Sequence, residues 1–277
     1  MSVLLSFIHV AACTAVMTVI VFQGIFRPVK VDIGFEHYGE KADSAIGPYK
    51  LPQWMGLAMP LNALVNVGYV LVGVVWMIRT YLDERKGAVG SLHAYFAYTF
   101  GWMGIFYGPM QFWRILSQTR EAAILDQWVL LPFFTWTILW CKSLMLGWNR
   151  DVTVMLVLSS ILSYNLVFFT EFGFEVALII HVAYVISTGF STHFKYPCKG
   201  NNMAVFMSCL TFANFVVFKL LDLHLPSYSN FFTEVSGHFI SKLLGDILQI
   251  HVSYVFFENI ARRLQADKLA EKSKKKK

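Results

Sequence analysis

Charge is what this sequence has least of. Asp, Glu, Lys and Arg make up 14% of its 277 residues, against roughly 25% in a soluble domain, so the chain lacks the polar surface to cover itself in water. Cysteine is scarce as well. Of the four, Cys13, Cys141 and Cys209 lie in apolar stretches and Cys198 in a short basic loop. With no CxxC pair and no loop-borne even set, neither a disulfide framework nor a thiolate metal site is indicated. No N-x-S/T sequon occurs, which removes one marker of lumenal loops. No internal repeat is present, and the terminal lysine run is the one low-complexity segment.

What the chain has in plenty is apolar surface. It is 56% hydrophobic and carries 25 Phe, 12 Tyr and 8 Trp, a composition opposite to that of a disordered segment. Apolar runs fall at about 3–26, 57–78, 91–113, 123–146, 152–170, 173–191, 203–222 and 237–258. At ~20 apolar residues per crossing, these predict an all-α polytopic membrane bundle of eight spans over residues 1–260. A basic cytoplasmic tail is expected over 261–277. The first run has no basic n-region, exceeds the usual ~7–15 residue core of a signal peptide and lacks a clear small-residue cleavage site. It is therefore expected to stay as a helix.

The net charge of +6 is concentrated at the end, where Arg262, Arg263, Lys268, Lys272 and Lys274 to Lys277 follow the last run. A basic tail beside a membrane span is expected to meet anionic lipid headgroups rather than nucleic acid. Counting Lys and Arg by loop puts fifteen on the side of both termini and six on the other, which predicts cytoplasmic termini. Lys274 and Lys275, four and three residues from the end, form a dilysine pattern. It predicts residence in the endoplasmic reticulum or early secretory membrane, with coat-type retrieval machinery as a partner.

Strongly polar groups inside a bilayer are costly and tend to face the bundle interior. Here they gather toward the non-cytoplasmic side. They are Asn62 and Asn66; Tyr107, Gln111 and Arg114; Asp126 and Gln127; Glu175 and His181; Lys219 and Asp222; and His238, Lys242 and Asp246. On the last span His238, Lys242, Asp246 and Gln249 share one helical stripe. Lys242 with Asp246, Lys219 with Asp222, and Arg114 with Asp126 are candidate ion pairs. Two readings follow. The charges are buried pairs that fix helix register or snorkel to the interface, or they line a polar cavity open to the non-cytoplasmic side that binds a lipid, a small polar solute or a membrane partner. His9, His93 and His251 stand alone and read as interhelical hydrogen-bonding groups. The long loop 27–56 is either a solvated connector or a lid, with Ile33, Phe35, Tyr38 and Trp54 available to dock on the bundle mouth.

Several stretches carry a resemblance. Gly34-Phe35-Glu36-His37-Tyr38, Tyr107-Gly108-Pro109, Ala122-Ala123-Ile124-Leu125-Asp126-Gln127-Trp128 and Gly173-Phe174-Glu175-Val176-Ala177-Leu178 are among them, as is Gly237-His238-Phe239 with Ser241-Lys242 and Asp246. Through these the whole chain resembles the transmembrane protein 187 family, which brings a name and no activity.

A more distant resemblance reaches the seven-span hydrolases that include alkaline ceramidases and adiponectin-receptor-like proteins. It rests on Asn62-x-x-x-Asn66, Leu125-Asp126-Gln127 and His238. It implies one N-terminal helix added to a seven-helix core, with zinc bound in part by Asp126 and His238. A catalytic zinc normally needs three protein ligands and an open position. Lys242 stands where the second histidine of the last span would be, and Gln111-Phe112-Trp113-Arg114-Ile115 where a third histidine and a serine would be. The expectation is thus of a protein without enzymatic activity and without a cofactor. A lipid hydrolase using Asp126 and His238 as base and orienter, or a transporter, are the alternatives.

Overall fold

The computed structural model describes residues 2–40 and 57–275. Trp54 and the middle of the long first loop lie outside them. Among the described residues there are eight helical rods and no strand. They are α1 (Ser2–Phe22), α2 (Pro60–Arg85, eased by a turn at Val65 and Asn66), α3 (Ser91–Ser117) and α4 (Arg120–Leu146). These are followed by α5 (Arg150–Phe168), α6 (Gly173–Lys195), α7 (Asn201–Leu221) and α8 (237–274).

The ends of the rods are written locally. Thr119 Oγ1 accepts from the Ala122 amide at the start of α4, and Asn149 Oδ1 from the Asp151 and Val152 amides at the start of α5. Ser236 Oγ accepts from the Phe239 amide at the start of α8. Each satisfies donors that a helix N-terminus leaves unpaired. Pro109 and Pro132 sit inside α3 and α4, which run on through them.

Six rods are long and apolar enough to cross a membrane, and α3 and α8 are the two that fall short. The reason is compositional: α3 is rich in Tyr, Trp and Gly, while α8 carries Lys242, Asp246, Gln249 and His251. Such helices belong where other protein shields them, and the packing puts them there. α2, α3, α4 and the upper part of α8 form the centre, whereas α1, α5, α6 and α7 present long apolar faces outward. The fold is that of a helical membrane bundle.

Aromatic and small residues fill the centre. Trp140 stacks on Phe257 at 4.2 Å between ring centroids and Trp76 on Tyr254 at 4.9 Å. The Trp136 indole donates to the Phe96 carbonyl at 2.9 Å, and the Tyr254 hydroxyl to the Ala97 carbonyl at 2.7 Å. The isolated histidines are hydrogen-bonded: His9 with the Tyr95 hydroxyl, His93 with the Trp140 indole and His251 with the Trp76 indole. α2 and α3 approach so closely that a Cβ on Gly108 would stand 2.7 Å from the Asn66 carbonyl oxygen. Small residues at such crossings let helices gain van der Waals contact that hydrocarbon cannot supply.

The two ends of the bundle are closed differently. At the end carrying Ser2 and the tail, Arg79 of α2 meets Glu258 of α8 at 3.0 Å. Arg262 bridges Asp83 and Glu258 there, each at 2.6 Å. At the other end the chain after α1 is strapped across the helix tips. Arg120 donates to the carbonyls of Arg27 and Val29, the Gln118 side chain accepts from the Gly34 amide, and Lys30 pairs with Glu171. Lys30 holds the Glu171 carboxyl below its usual range, but both groups are largely exposed and such a pair adds little stability.

A side chain forced into the α2–α3 contact has to move backbone. Gly108→Val is expected to destabilise the bundle by about 1–3 kcal/mol, the usual cost of overpacking. Thermal unfolding of purified protein in detergent, compared with the control Gly189→Val, where a Cβ would meet no atom within 4 Å, checks this; equal melting of the two variants would refute the close approach.

Candidate functional site

The polar residues of the inner helices meet in one place. Lys242, buried on α8, donates to Asn66 Oδ1 at 3.1 Å and Gln111 Oε1 at 2.8 Å. The Gln111 amide nitrogen in turn contacts the Tyr107 hydroxyl at 2.6 Å and Asp126 Oδ1. The Tyr107 hydroxyl donates to that same carboxylate oxygen at 3.0 Å, and Arg114 pairs with Asp126 Oδ2 at 3.4 Å. One turn deeper on α8, Asp246 accepts from the Tyr69 hydroxyl at 2.8 Å, and the Tyr69 ring meets Tyr107 edge-on at 5.1 Å. Two cations and two carboxylates thus stand together between α2, α3, α4 and α8. A buried charge is costly unless paired or hydrogen-bonded; here Arg114 and Asp126 pair, while Lys242 and Asp246 are held by hydrogen bonds to neutral side chains.

The strap seals the cluster from the end of the bundle. Tyr38 is buried, its hydroxyl accepts from Arg114 Nε at 3.3 Å, and its ring lies edge-on to His238 at 5.0 Å. Arg114 also reaches the Asp32 carbonyl at 3.4 Å. Glu40 is buried and accepts from the Leu61 and Asn62 amides at 2.9 and 2.8 Å, capping α2. Asn62 donates to Ser236 Oγ at 3.2 Å. Of the residues proposed to dock as a lid, Tyr38 is buried, Ile33 is partly covered and Phe35 stays exposed. Asn62 Oδ1 and Arg114 Nη1 are buried with no hydrogen-bond partner among the described residues.

The sequence picture is corrected at several points. Lys242 and Asp246 form no ion pair among the described residues. Residues Ser241–Ile247 adopt a π-helix, whose wider turn sends Lys242 toward Asn66 and Gln111 and Asp246 toward Tyr69. The single stripe is broken as well: Gln249 turns to Thr211 and Ser208 of α7. Lys219 and Asp222 do not pair either. Asp222 accepts from the Gly39 and His238 amides at 2.8 and 2.7 Å, while Lys219 lies over the Phe215 ring on the exposed side of α7. Glu175 is exposed and His181 bonds to its own helix at the Ala177 carbonyl. α6 turns Gly173, Ala177, Thr188 and Thr192 inward instead. Gln127 points away from the cluster and accepts from the Tyr164 hydroxyl at 2.9 Å. Lys274 and Lys275 are exposed at the far end of α8.

Asn62, Asn66, Arg114, Asp126, Lys242 and Asp246 are therefore brought into one neighbourhood, with His238 at its edge. Tyr38 joins it as one of the residues expected to dock, and Tyr69, Glu40 and Ser236 join it without having stood out in sequence. A tyrosine in an aromatic-rich span and polar residues in a loop give no signal until the folded chain sets them against a charge. The clamp of Arg79, Asp83, Glu258 and Arg262 was equally hidden, because it joins two i, i+4 pairs that are far apart in the chain and read as ordinary interfacial charges.

The arrangement does not fit a zinc centre. Asp126 is engaged by Tyr107, Gln111 and Arg114, and the Lys242 ammonium lies on the same side. Among the described residues no three His, Cys, Asp or Glu side chains stand close enough to share a metal ion. The cluster borders instead on a crevice of about 260 Å³. Its walls are apolar, with Leu130 and Phe133 of α4, Val185 of α6, Phe212 of α7 and Phe256 of α8 among them; Tyr69, Tyr107 and Asp246 stand at one end. Ile186, Phe190 and Phe212 line it yet remain exposed, so it opens sideways between α6 and α7.

Fold and site together define a multi-pass helical membrane protein with a sealed polar centre beside a lateral apolar crevice. The chain belongs to the TMEM187 protein family, whose model matches residues 6–258. It is similar to Transmembrane protein 187 of Homo sapiens, 37% identical over 251 residues covering 91% of this chain and 90% of that protein. The Bos taurus protein of the same name is 33% identical over 253 residues, covering 91% of this chain and 95% of its own length. No solved structure matches.

Removing one partner from the Arg114–Asp126 pair strands the other charge. Asp126→Leu is expected to destabilise the protein by about 3–5 kcal/mol, the usual cost of breaking a buried pair from one side. The double variant Arg114→Met with Asp126→Leu should recover much of that loss. A double-mutant cycle read by thermal unfolding checks it, and strictly additive losses would contradict the pairing.

Proposed function

We propose that this family member is a non-enzymatic membrane protein that holds a lipid in the crevice between α4, α6, α7 and α8. One observation carries the reading: an apolar recess that opens sideways between two outward-facing helices and ends on buried polar side chains. A lipid has the matching division, with an apolar body and a polar end. Entry from the bilayer needs no opening of the strapped end, where Tyr38, Glu40 and Asp222 tie the chain down. The polar residues first read as the lining of a cavity act in this proposal as a rigid charge-balanced floor. Their mutual engagement also supports the non-enzymatic reading, since Asp126 is already held by three partners.

Filling the recess is expected to expel the lipid. Val185→Trp places bulk in the crevice wall, where it should lower the amount of copurifying lipid at least severalfold while leaving the melting temperature nearly unchanged. Native mass spectrometry of the full chain released from mild detergent measures this. Unchanged lipid occupancy in the variant would rule out the crevice as the binding place.

A further inference from the structure

Resting on that reading, we propose that the crevice selects a single-chain amphiphile whose polar end is a neutral hydrogen-bond donor, an uncharged hydroxyl, received by Asp246. The argument starts from the carboxylate. Asp246 Oδ2 is taken by the Tyr69 hydroxyl, whereas Oδ1 has no partner among the described residues and the side chain is only partly covered where it lines the crevice. Gln249 gives its amide to Ser208 and Ser253 and accepts from Thr211, and the Tyr107 hydroxyl donates to Asp126. The Ser208, Ser253 and Thr137 hydroxyls along the crevice keep hydrogens to give, but Asp246 Oδ1 is the charged acceptor on offer, so a guest whose polar end reaches it must bring a donor.

Charge balance decides which donor. Arg114 and Lys242 stand against Asp126 and Asp246 in the same apolar interior, and the Lys219 ammonium of α7 also acts on Asp246. An ammonium guest would add to that excess of cations, and a carboxylate guest would set two anions face to face at Asp246. An uncharged hydroxyl disturbs neither. Depth gives the same answer independently. Asp246 lies nine residues along α8 from Gly237, on the order of 13 Å in from the start of that helix at ~1.5 Å per residue. A headgroup entering sideways has to reach that depth through hydrocarbon, which is costly for an ion.

Size restricts the body of the guest. The recess, about 260 Å³, runs along α8 from Asp246 to Phe257. Eleven residues span about 16 Å, close to half the hydrocarbon thickness. One alkyl chain laid along α8 matches a slot of that length, its far end lying out through the mouth between α6 and α7.

The test titrates delipidated full-length protein in detergent with hexadecanol, hexadecylamine, palmitate and hexadecane, followed by native mass spectrometry. Hexadecanol is expected to bind at least tenfold more tightly than the other three, the scale of one hydrogen bond to a charged group. Asp246→Leu should erase that preference. Should Asp246→Leu fail to fold, Tyr69→Phe serves instead: it frees the second carboxylate oxygen and should keep or strengthen hexadecanol binding. Tighter binding of the amine or the acid, or of hexadecane as well as the alcohol, overturns the headgroup assignment while leaving the crevice as a lipid site. Absence of binding by all four, with Val185→Trp indistinguishable from the parent, defeats the lipid-binding reading itself and this inference with it.

Discussion

Four charged side chains inside an apolar bundle set the terms for everything around them. Arg114, Lys242, Asp126 and Asp246 have little water to turn to, so they must find one another and every available amide and hydroxyl. Asn66, Gln111, Tyr107 and Tyr69 are the groups that meet this demand, and they come from two helices, α2 and α3. Holding all of them within hydrogen-bonding distance fixes the register of α2, α3, α4 and α8. The small residues on α3 permit it, since a side chain at Gly108 would push α2 away from the cluster.

The π-helical turn at Ser241–Ile247 belongs to the same constraint. A regular α-helix would direct Lys242 and Asp246 along one stripe to satisfy each other. The widened turn separates their partners, so that Lys242 is used up inside the cluster while Asp246 reaches the border of the crevice. Gly245 within that turn lets α7 come close, because a Cβ there would stand 2.6 Å from Phe215 Cβ. Such turns recur at functional sites in helices. Here the turn sits at the junction between the sealed polar centre and the apolar recess.

The outer helices have a looser task. α1, α5, α6 and α7 bury little of their length, and a bilayer rewards their apolar faces wherever they stand. Close packing of every pair is therefore not demanded of them, and α6 and α7 meet only along a short stretch. The gap between them is the mouth of the crevice. At the strapped end, by contrast, backbone groups that would otherwise lack partners are tied to side chains. Asp222 takes the Gly39 and His238 amides, and Glu40 takes those of Leu61 and Asn62.

The class of fold was legible in the chain alone, because hydrocarbon imposes a one-dimensional rule: apolar runs of sufficient length become helices, and α1 through α8 fall within a few residues of the eight runs. α8 is the exception, continuing as helix far beyond its apolar part to Lys274. That Asn62, Asn66, Arg114, Asp126, Lys242 and Asp246 gather toward one end of the bundle was legible for a related reason, since depth follows from position along a span. Direction around the helix axis was not. Glu175 and Lys219 share that depth yet face outward, and the partners of Lys242 depend on a local widening that no spacing announces. Which residues meet across helices is a question of rotation and close approach. Those are settled by packing between segments distant in sequence, so only the tertiary structure could decide them.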